Sequence, residues 1–238
     1  MANKLYVTGD IHGEIEIMDR FSTRNFPEGA KLDKSDIIVV MGDFGLIWDG
    51  TPSKREEYHL KWLQNRAWTT VFIDGNHENH PRLQALPIEQ KFDGHVGVVR
   101  EGIYYLRRGE VYNLNGKKVF CFGGALSWDK ENRKEFISWW EEEIPNYEEM
   151  EHALDTLEEH QWKFDYIFTH TMPLRIVDKV GLKGGKKDTT CDFLEHLAES
   201  PLEFDTWFSG HFHVDQSFGK FRILYYDIID IDTRESIN

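Results

Sequence analysis

Short apolar runs alternate with amphipathic stretches along the whole chain. Leu5-Tyr6-Val7, Ile37-Ile38-Val39-Val40-Met41, Val71-Phe72-Ile73, Tyr166-Ile167-Phe168 and Thr206-Trp207-Phe208 are brief and rich in β-branched or aromatic side chains. Such runs predict strands covered on both faces. Between them, Ile15, Met18 and Phe21 or Ser22 follow helical spacing, as do Phe193, Leu194 and Leu197. Asn146 with Glu149 reads as a capping box after Pro145, opening a helix whose apolar stripe is Tyr147, Met150, Leu154 and Leu157. The remaining positions of that helix are acidic and predict a solvated face.

The stretch from about Ile103 to Phe122 has a different rhythm. Val111, Tyr112 and Leu114 lead into Asn115-Gly116, and Lys118, Val119, Phe120 and Phe122 leave it. Asn-Gly between two such runs predicts a tight hairpin, because both turn positions need positive φ. Phe221 to Ile231 reads as a C-terminal strand. The mixture of βα units and hairpins predicts an α/β fold, with two sheets covered by helices or one mixed sheet.

Composition narrows the class. The 238 residues, 40% hydrophobic and 14% aromatic, are enough for a substantial core and exclude disorder. That length predicts one domain over 1–238, with a lid-like insertion at about 127–162. Twenty-eight basic against 42 acidic residues give a formal charge of −14, so no long nucleic acid is expected as partner. Cys121 and Cys191 are too few for a disulfide framework and fit a reducing compartment. No apolar stretch approaches a signal peptide or a membrane span, so a cytoplasmic protein without membrane contact is expected. Homo-oligomerisation is left open.

The chemistry lies just past the strands. The five runs are followed by Gly9-Asp10-Ile11-His12-Gly13, Gly42-Asp43-Phe44-Gly45, Gly75-Asn76-His77-Glu78, Thr169-His170-Thr171 and Ser209-Gly210-His211-Phe212-His213. Loops beyond the carboxyl ends of strands line the ligand crevice of open α/β sheets, so these groups are candidates to converge. Carboxylate oxygen and neutral imidazole suit Mn, Fe, Zn, Co or Ni better than soft copper. Seven such ligands exceed one ion's needs, and two ions about 3.5–4 Å apart with a shared carboxylate would use them all. Singly, each motif is most often a turn with a surface histidine. Together they are not: Gly-Asp-x-His-Gly alone arises by chance on the order of once in several hundred chains of this length. His59, His80, His95, His152, His160 and His196 lack such a context and are assigned to surface or packing roles.

In this order, Asp-x-His, Gly-Asp, Gly-Asn-His-Glu, a separate His and Gly-His-x-His, the motifs resemble the calcineurin-like metallophosphoesterase superfamily. The resemblance runs from Gly9 to His213. It implies a two-sheet α/β/β/α sandwich with mixed strands and a dinuclear metal centre, manganese foremost. Carried over, Asp10, His12 and His213 would hold one ion, Asn76, His170 and His211 the other, and Asp43 would bridge them. His77 would face the leaving group as general acid while a metal-bridging hydroxide attacks a phosphate mono- or diester. The first and third blocks are similar to the serine/threonine phosphoprotein phosphatases. Past Asp43, however, the chain reads Phe44-Gly45-Leu46-Ile47-Trp48-Asp49, without that branch's histidine-orienting Asp or phosphate-clamping Arg. Asp49 and Glu78 are then candidates to orient His77.

For substrate contacts, Arg82 follows His77 by five residues, and Lys186 sits in the basic Lys183–Lys187 stretch. Trp128 and Trp48 could stack on a nucleobase if the substrate is a nucleotide. A phosphoserine/threonine phosphatase and a non-catalytic binding scaffold of the same fold are the alternatives to a general phosphoesterase.

Overall fold

The computed structural model describes residues 3–181 and 188–237, with the backbone alone at 14 and 15. In chain order the elements begin β1 (Leu5–Thr8), α1 (Glu14–Arg20), β2 (Ile37–Val40), α2 (Lys54–Gln64), β3 (Thr69–Phe72) and α3 (His80–Gln84). Then come β4 (Ile88–Lys91), β5 (Gly94–Arg100), β6 (Ile103–Leu106), β7 (Glu110–Leu114), β8 (Lys117–Phe122), α4 (Tyr147–Glu159) and β9 (Tyr166–Thr169). The last are α5 (Leu174–Val180), α6 (Thr189–Glu199), β10 (Thr206–Ser209), β11 (Gln216–Phe218), β12 (Phe221–Ile223), β13 (Ile228–Asp230) and β14 (Glu235–Ser236).

Two mixed sheets result. The first has the order β14-β13-β1-β2-β3-β6-β5-β4 and the second β11-β12-β10-β9-β8-β7. Alternating side chains explain why they stack. Leu5, Val7, Ile37, Val39 and Val71 point to the interior shared with Val119, Cys121, Tyr166 and Phe168 of the second sheet. Tyr6, Ile38, Val40 and Phe72 point the other way, against Ile17 of α1, Phe21 at its C-cap, and Leu60 and Leu63 of α2. Phe120, Phe122, Ile167 and Trp207 do the same for the second sheet, meeting Ala153 and Leu157 of α4, Val177 of α5 and Leu194 of α6. Each central strand is thus apolar on both faces, which makes it an unbroken run in the sequence. Each buried aliphatic side chain contributes about 1.5–3 kcal/mol, and Ile38→Ala would cost about 2–5 kcal/mol. The architecture is the expected α/β sandwich.

β1, β2 and β3 run parallel in register, as do β8, β9 and β10. Their carboxyl ends therefore share one edge, where the five loops emerge. The Asn115-Gly116 hairpin joins β7 to β8, with φ of 53° and 83° at the turn. The capping box is present: Asn146 Oδ1 accepts from the Glu149 amide, and Glu149 Oε2 from the Asn146 amide, both at 2.9 Å.

Several expectations need correction. The run from Ile103 to Phe122 is shared between sheets, β6 in the first and β7–β8 in the second. Phe221–Ile231 is two strands, β12 in the second sheet and β13 in the first. Tyr147 is exposed at the start of α4 and leaves the apolar stripe to Ala153 and Leu157, flanked by Met150 and Leu154. α2 was not expected, although Ser53 caps it by accepting from the Glu56 amide at 3.1 Å. The segment 127–162 divides in two: 127–146 forms short turns, whereas α4 belongs to the layer covering the second sheet. Among the described residues no helix is long and apolar enough to cross a membrane. Both cysteines are free and buried.

Candidate metal centre

The five loops meet, although their residues span Asp10 to His213. Left-handed backbone appears at His12 (φ 51°), Asp43 (47°), His211 (71°) and His213 (51°). Non-glycine residues adopt this region rarely, Asp and His more readily than most, and such strain gathers at functional sites. It aims short side chains back across the strand ends. Glycines make room for them: a Cβ on Gly210 would lie 2.1 Å from Asp10 Oδ1, and one on Gly75 2.2 Å from Asp43 Oδ1.

Asp10, His12, Asp43 and His213 each place one ligand-type atom within 4.8 Å of the others. His12 and His213 Nε2 atoms are 2.9 Å apart, and His213 Nε2 is 3.1 Å from Asp10 Oδ2. Asp10 also accepts from the His211 amide at 2.8 Å. Behind it, buried Arg20 donates to the Asp10 carbonyl and to the carbonyl of Tyr225, whose ring stacks on His213 at 4.6 Å.

The other side of the cluster is deeper. His170 Nε2 faces Asp43 Oδ1 and Asn76 Oδ1, each at 3.2 Å. Its Nδ1 donates to the Met41 carbonyl at 2.7 Å, so Nε2 is the nitrogen turned to the cluster. Asp43 Oδ1 accepts from the backbone amides of Asn76 and His77 at 2.9 and 2.8 Å, while its Oδ2 lies 3.9 Å from His12. His211 packs edge-on to His170, with ring centroids 5.0 Å apart.

Charge follows this geometry. Burial opposes a charged His170, but the Asp43 and Asp10 carboxylates overcome it and raise its pKa to about 10. Burial also works against the Asp43 carboxylate, yet His170 holds it well below its ordinary value. Burial beside His170 pushes His211 down to about 3. The Asp43 and Asp10 carboxylates thus favour positive charge at the cluster, a proton on His170 foremost. A divalent cation would replace that proton among hard oxygen and imidazole donors already turned inward, so the residues present fit a metal centre.

His77 sits at the edge, its ring 4.7 Å from that of His12 and stacked on Trp48 at 5.6 Å. Arg133 donates from Nη2 to His77 Nε2 at 2.8 Å. Burial, with Arg133 adding to it, lowers the His77 pKa to about 4, so the imidazole is neutral here. His77, His12, Trp48, Asp49, Ser53 and Glu56 line a cleft of about 200 Å³ beside the cluster.

The substrate candidates separate. Arg82 is paired with Glu56, at 2.6 and 2.8 Å, and with the Asp49 carbonyl, so it is not a free cation at the cluster. Among the described residues the cation that reaches His77 is Arg133, from the 127–146 loop, whose sequence carries no motif that marks it. Trp128 lies at the rim, half exposed, its ring edge-on to His211. Trp48 gives one face to His77. Glu78 is no partner of His77: its buried carboxyl accepts from the Gly45 and Gly75 amides, and burial near Asp43 raises it to about 8. Asp49 lines the cleft, but its polar contact is through its carbonyl. Lys186 lies outside the described residues.

Two helix-covered sheets with an Asp/His cluster at their strand ends form the architecture of dimetal phosphoesterases. The family model for calcineurin-like phosphoesterases matches residues 4–215, and the chain belongs to that family of phosphoester hydrolases. Among curated proteins it is similar to lariat debranching enzymes. That of Danio rerio is 27% identical over 89% of this chain and 40% of its own length. That of Saccharomyces cerevisiae is 24% identical over 75% of this chain and 50% of its own. The chain therefore spans half or less of these relatives' length.

Proposed function

We propose that the protein hydrolyses phosphodiesters using two divalent cations, manganese foremost. Asp10, His12 and His213 hold one, Asn76, His170 and His211 the other, with Asp43 shared. The observation that carries this reading is the inward-turned cluster, in which Asp43 lies beside both His12 and His170. When bound, such ions lower the pKa of coordinated water and offset charge on a phosphoryl group.

The chain's own residues supply the rest. Arg133 is the cation for a phosphoryl oxygen. Arg133 holds an ion pair to exposed Asp129 through Nε at 2.6 Å, and its Nη2, which donates to neutral His77, would find a stronger, charge-assisted partner in a phosphate anion at the cluster. Release of Arg133 and the nearby negative charge both favour the imidazolium, so His77 becomes able to protonate the leaving oxygen. The adjoining cleft receives the leaving group. The 127–146 loop, carrying Trp128 and Arg133, acts as a lid.

Similarity to lariat debranching enzymes supports a diester over a monoester. The −14 charge supports a small nucleotide diester or a short branched nucleic acid over a long one.

The test is turnover of manganese-loaded protein on bis-p-nitrophenyl phosphate, p-nitrophenyl phosphate, a dinucleotide, a branched oligonucleotide and a phosphopeptide. Diesters should lead. His77→Ala should keep both ions and lose about 10²–10⁴-fold on the dinucleotide. Turnover confined to the monoester would refute the diester reading. Two bound ions without any turnover would make the protein a scaffold.

A further inference from the structure

Asn76 differs from the other proposed ligands: its two side-chain ends have nearly the same shape and opposite chemistry. The amide oxygen can coordinate a cation, and the NH₂ cannot. Something must decide which end faces the cluster.

Behind Asn76 stands Ser127, whose Oγ is 3.2 Å from Asn76 Nδ2. Ser127 Oγ is in turn 2.5 Å from Glu143 Oε2, and the Ser127 amide donates to Glu143 Oε1 at 2.8 Å. Glu143 is fully buried. An ionised carboxylate only accepts hydrogen bonds. Burial pushes the Glu143 carboxyl above its ordinary value, and the two bonds from Ser127 oppose this. While it is ionised, Ser127 spends its single proton on it and turns only lone pairs to Asn76. The amide is obliged to present NH₂ to Ser127 and oxygen to His170 and the cluster.

Glu143 is held for this task. Its carbonyl accepts from the Ala125 amide at 3.1 Å and from Arg108 Nη2 at 3.3 Å. Arg108 is pinned on buried Asp74 through Nε at 2.9 Å and Nη2 at 2.6 Å. Asp74 lies two residues before Asn76, so both ends of the chain of contacts are rooted at the end of β3. Burying a carboxylate is costly, and a hydrogen-bonded network of this kind fixes orientation more than it adds stability.

We propose that Glu143, acting through Ser127, is a positioning residue that fixes the Asn76 amide with its oxygen toward the second cation. The proposal rests on the dimetal reading above. It also gives the 127–146 loop a role in assembling the centre, since Ser127 and Glu143 bracket most of that loop.

The test is calorimetric titration of metal-free protein with Mn²⁺, alongside melting of the metal-free state. Glu143→Gln is isosteric but inverts the chain. Its oxygen must accept the Ser127 amide, so its NH₂ donates to Ser127 Oγ and turns the hydroxyl proton toward Asn76. The variant should weaken one of two Mn²⁺ sites by about 10–100-fold and leave the other and the metal-free melting temperature unchanged. Ser127→Ala, which frees the amide without inverting it, should weaken the same site less, and it decides the matter if Glu143→Gln does not fold. Two wild-type-like sites in either folded variant would overturn the proposal. Wild-type protein taking up fewer than two ions would instead overturn the dimetal reading itself.

Discussion

The cluster has two unlike sides. His170 is fully buried, its Nδ1 tied to the Met41 carbonyl and its Nε2 paired with Asp43. His213 is 49% exposed at the side chain, with Asp10 beside it and the Tyr225 ring against its face. The buried side is built like a core, with both His170 nitrogens, Asp43 Oδ1 and the Asn76 amide given partners from the fold. On the open side His12 and His213 meet through their Nε2 atoms at 2.9 Å, and both are partly exposed. One side is preorganised by burial of its imidazole, and the other by a buried carboxylate, Asp10, that holds an exposed imidazole. Burial makes the first a contributor to stability; the second is free to serve the ligand alone.

The comparison is broken most completely at Asp43, which belongs to both sides. Asp43→Asn should lose both ions and lower turnover by more than about 10²-fold, read by metal analysis and kinetics on one sample. Retained ions and activity would deny it the shared position. Next, His170→Ala should destabilise the metal-free protein by about 3–5 kcal/mol, because it strands a buried Asp43 carboxylate. His213→Ala should stay within about 0.5 kcal/mol of wild type while losing metal affinity. Equal melting of these two variants would erase the distinction.

Acid offers a third probe. Buried His80 has its pKa lowered to about 3, by burial and by Arg108, against an ordinary 6.5. Between those values the unfolded chain binds a proton that the folded one does not. Stability should fall as pH drops through that window, by about 1.4 kcal/mol per unit at most. Asp74, held below its ordinary value chiefly by Arg108 against the opposing effect of burial, adds its loss below pH 3.8. His77, His211 and Glu78 also titrate across this range, Glu78 with the opposite sign, so the contribution of His80 is read as the difference in slope between wild type and His80→Gln on melting from pH 7 to 4. A His80→Gln curve with the wild-type slope would contradict the buried neutral imidazole. Smallest of all, Tyr225→Ala should remove the stack on His213, worth about 0.5–1.5 kcal/mol, and weaken metal on the open side a few-fold. A larger loss on the buried side would reverse the assignment.

What the sequence revealed follows the same physics. Strands buried on both faces announce themselves, and each proposed ligand sits just past such a strand, so the loops that meet at the cluster are legible in the sequence. Features set by distant partners could not. The break between β12 and β13 lies inside an apolar run, because it is made by Asp215, whose carboxylate holds the amides of Tyr225, Tyr226 and Asp227. α2 buries Glu56 and His59 along with Leu60 and Leu63, which blurs its apolar stripe. Arg82 is close to His77 in sequence, but Glu56, 26 residues earlier, takes its charge. Arg133 reaches His77 only through the path of a loop without periodicity.

The switch at Leu224–Asp227 has a consequence for biosynthesis. β1 is flanked by β2 on one side and antiparallel β13 on the other, and the backbone of Leu224 lies where a Cβ on Gly9 would be. The N-terminal strand thus waits, with one edge unpaired, for a partner translated more than 200 residues later. Domains that fold during synthesis hide such edges early; here the wall beside Asp10 cannot close until the ribosome has passed Ile231. Loading of the centre therefore waits on the pairing of β13 with β1, which completes the wall beside Asp10.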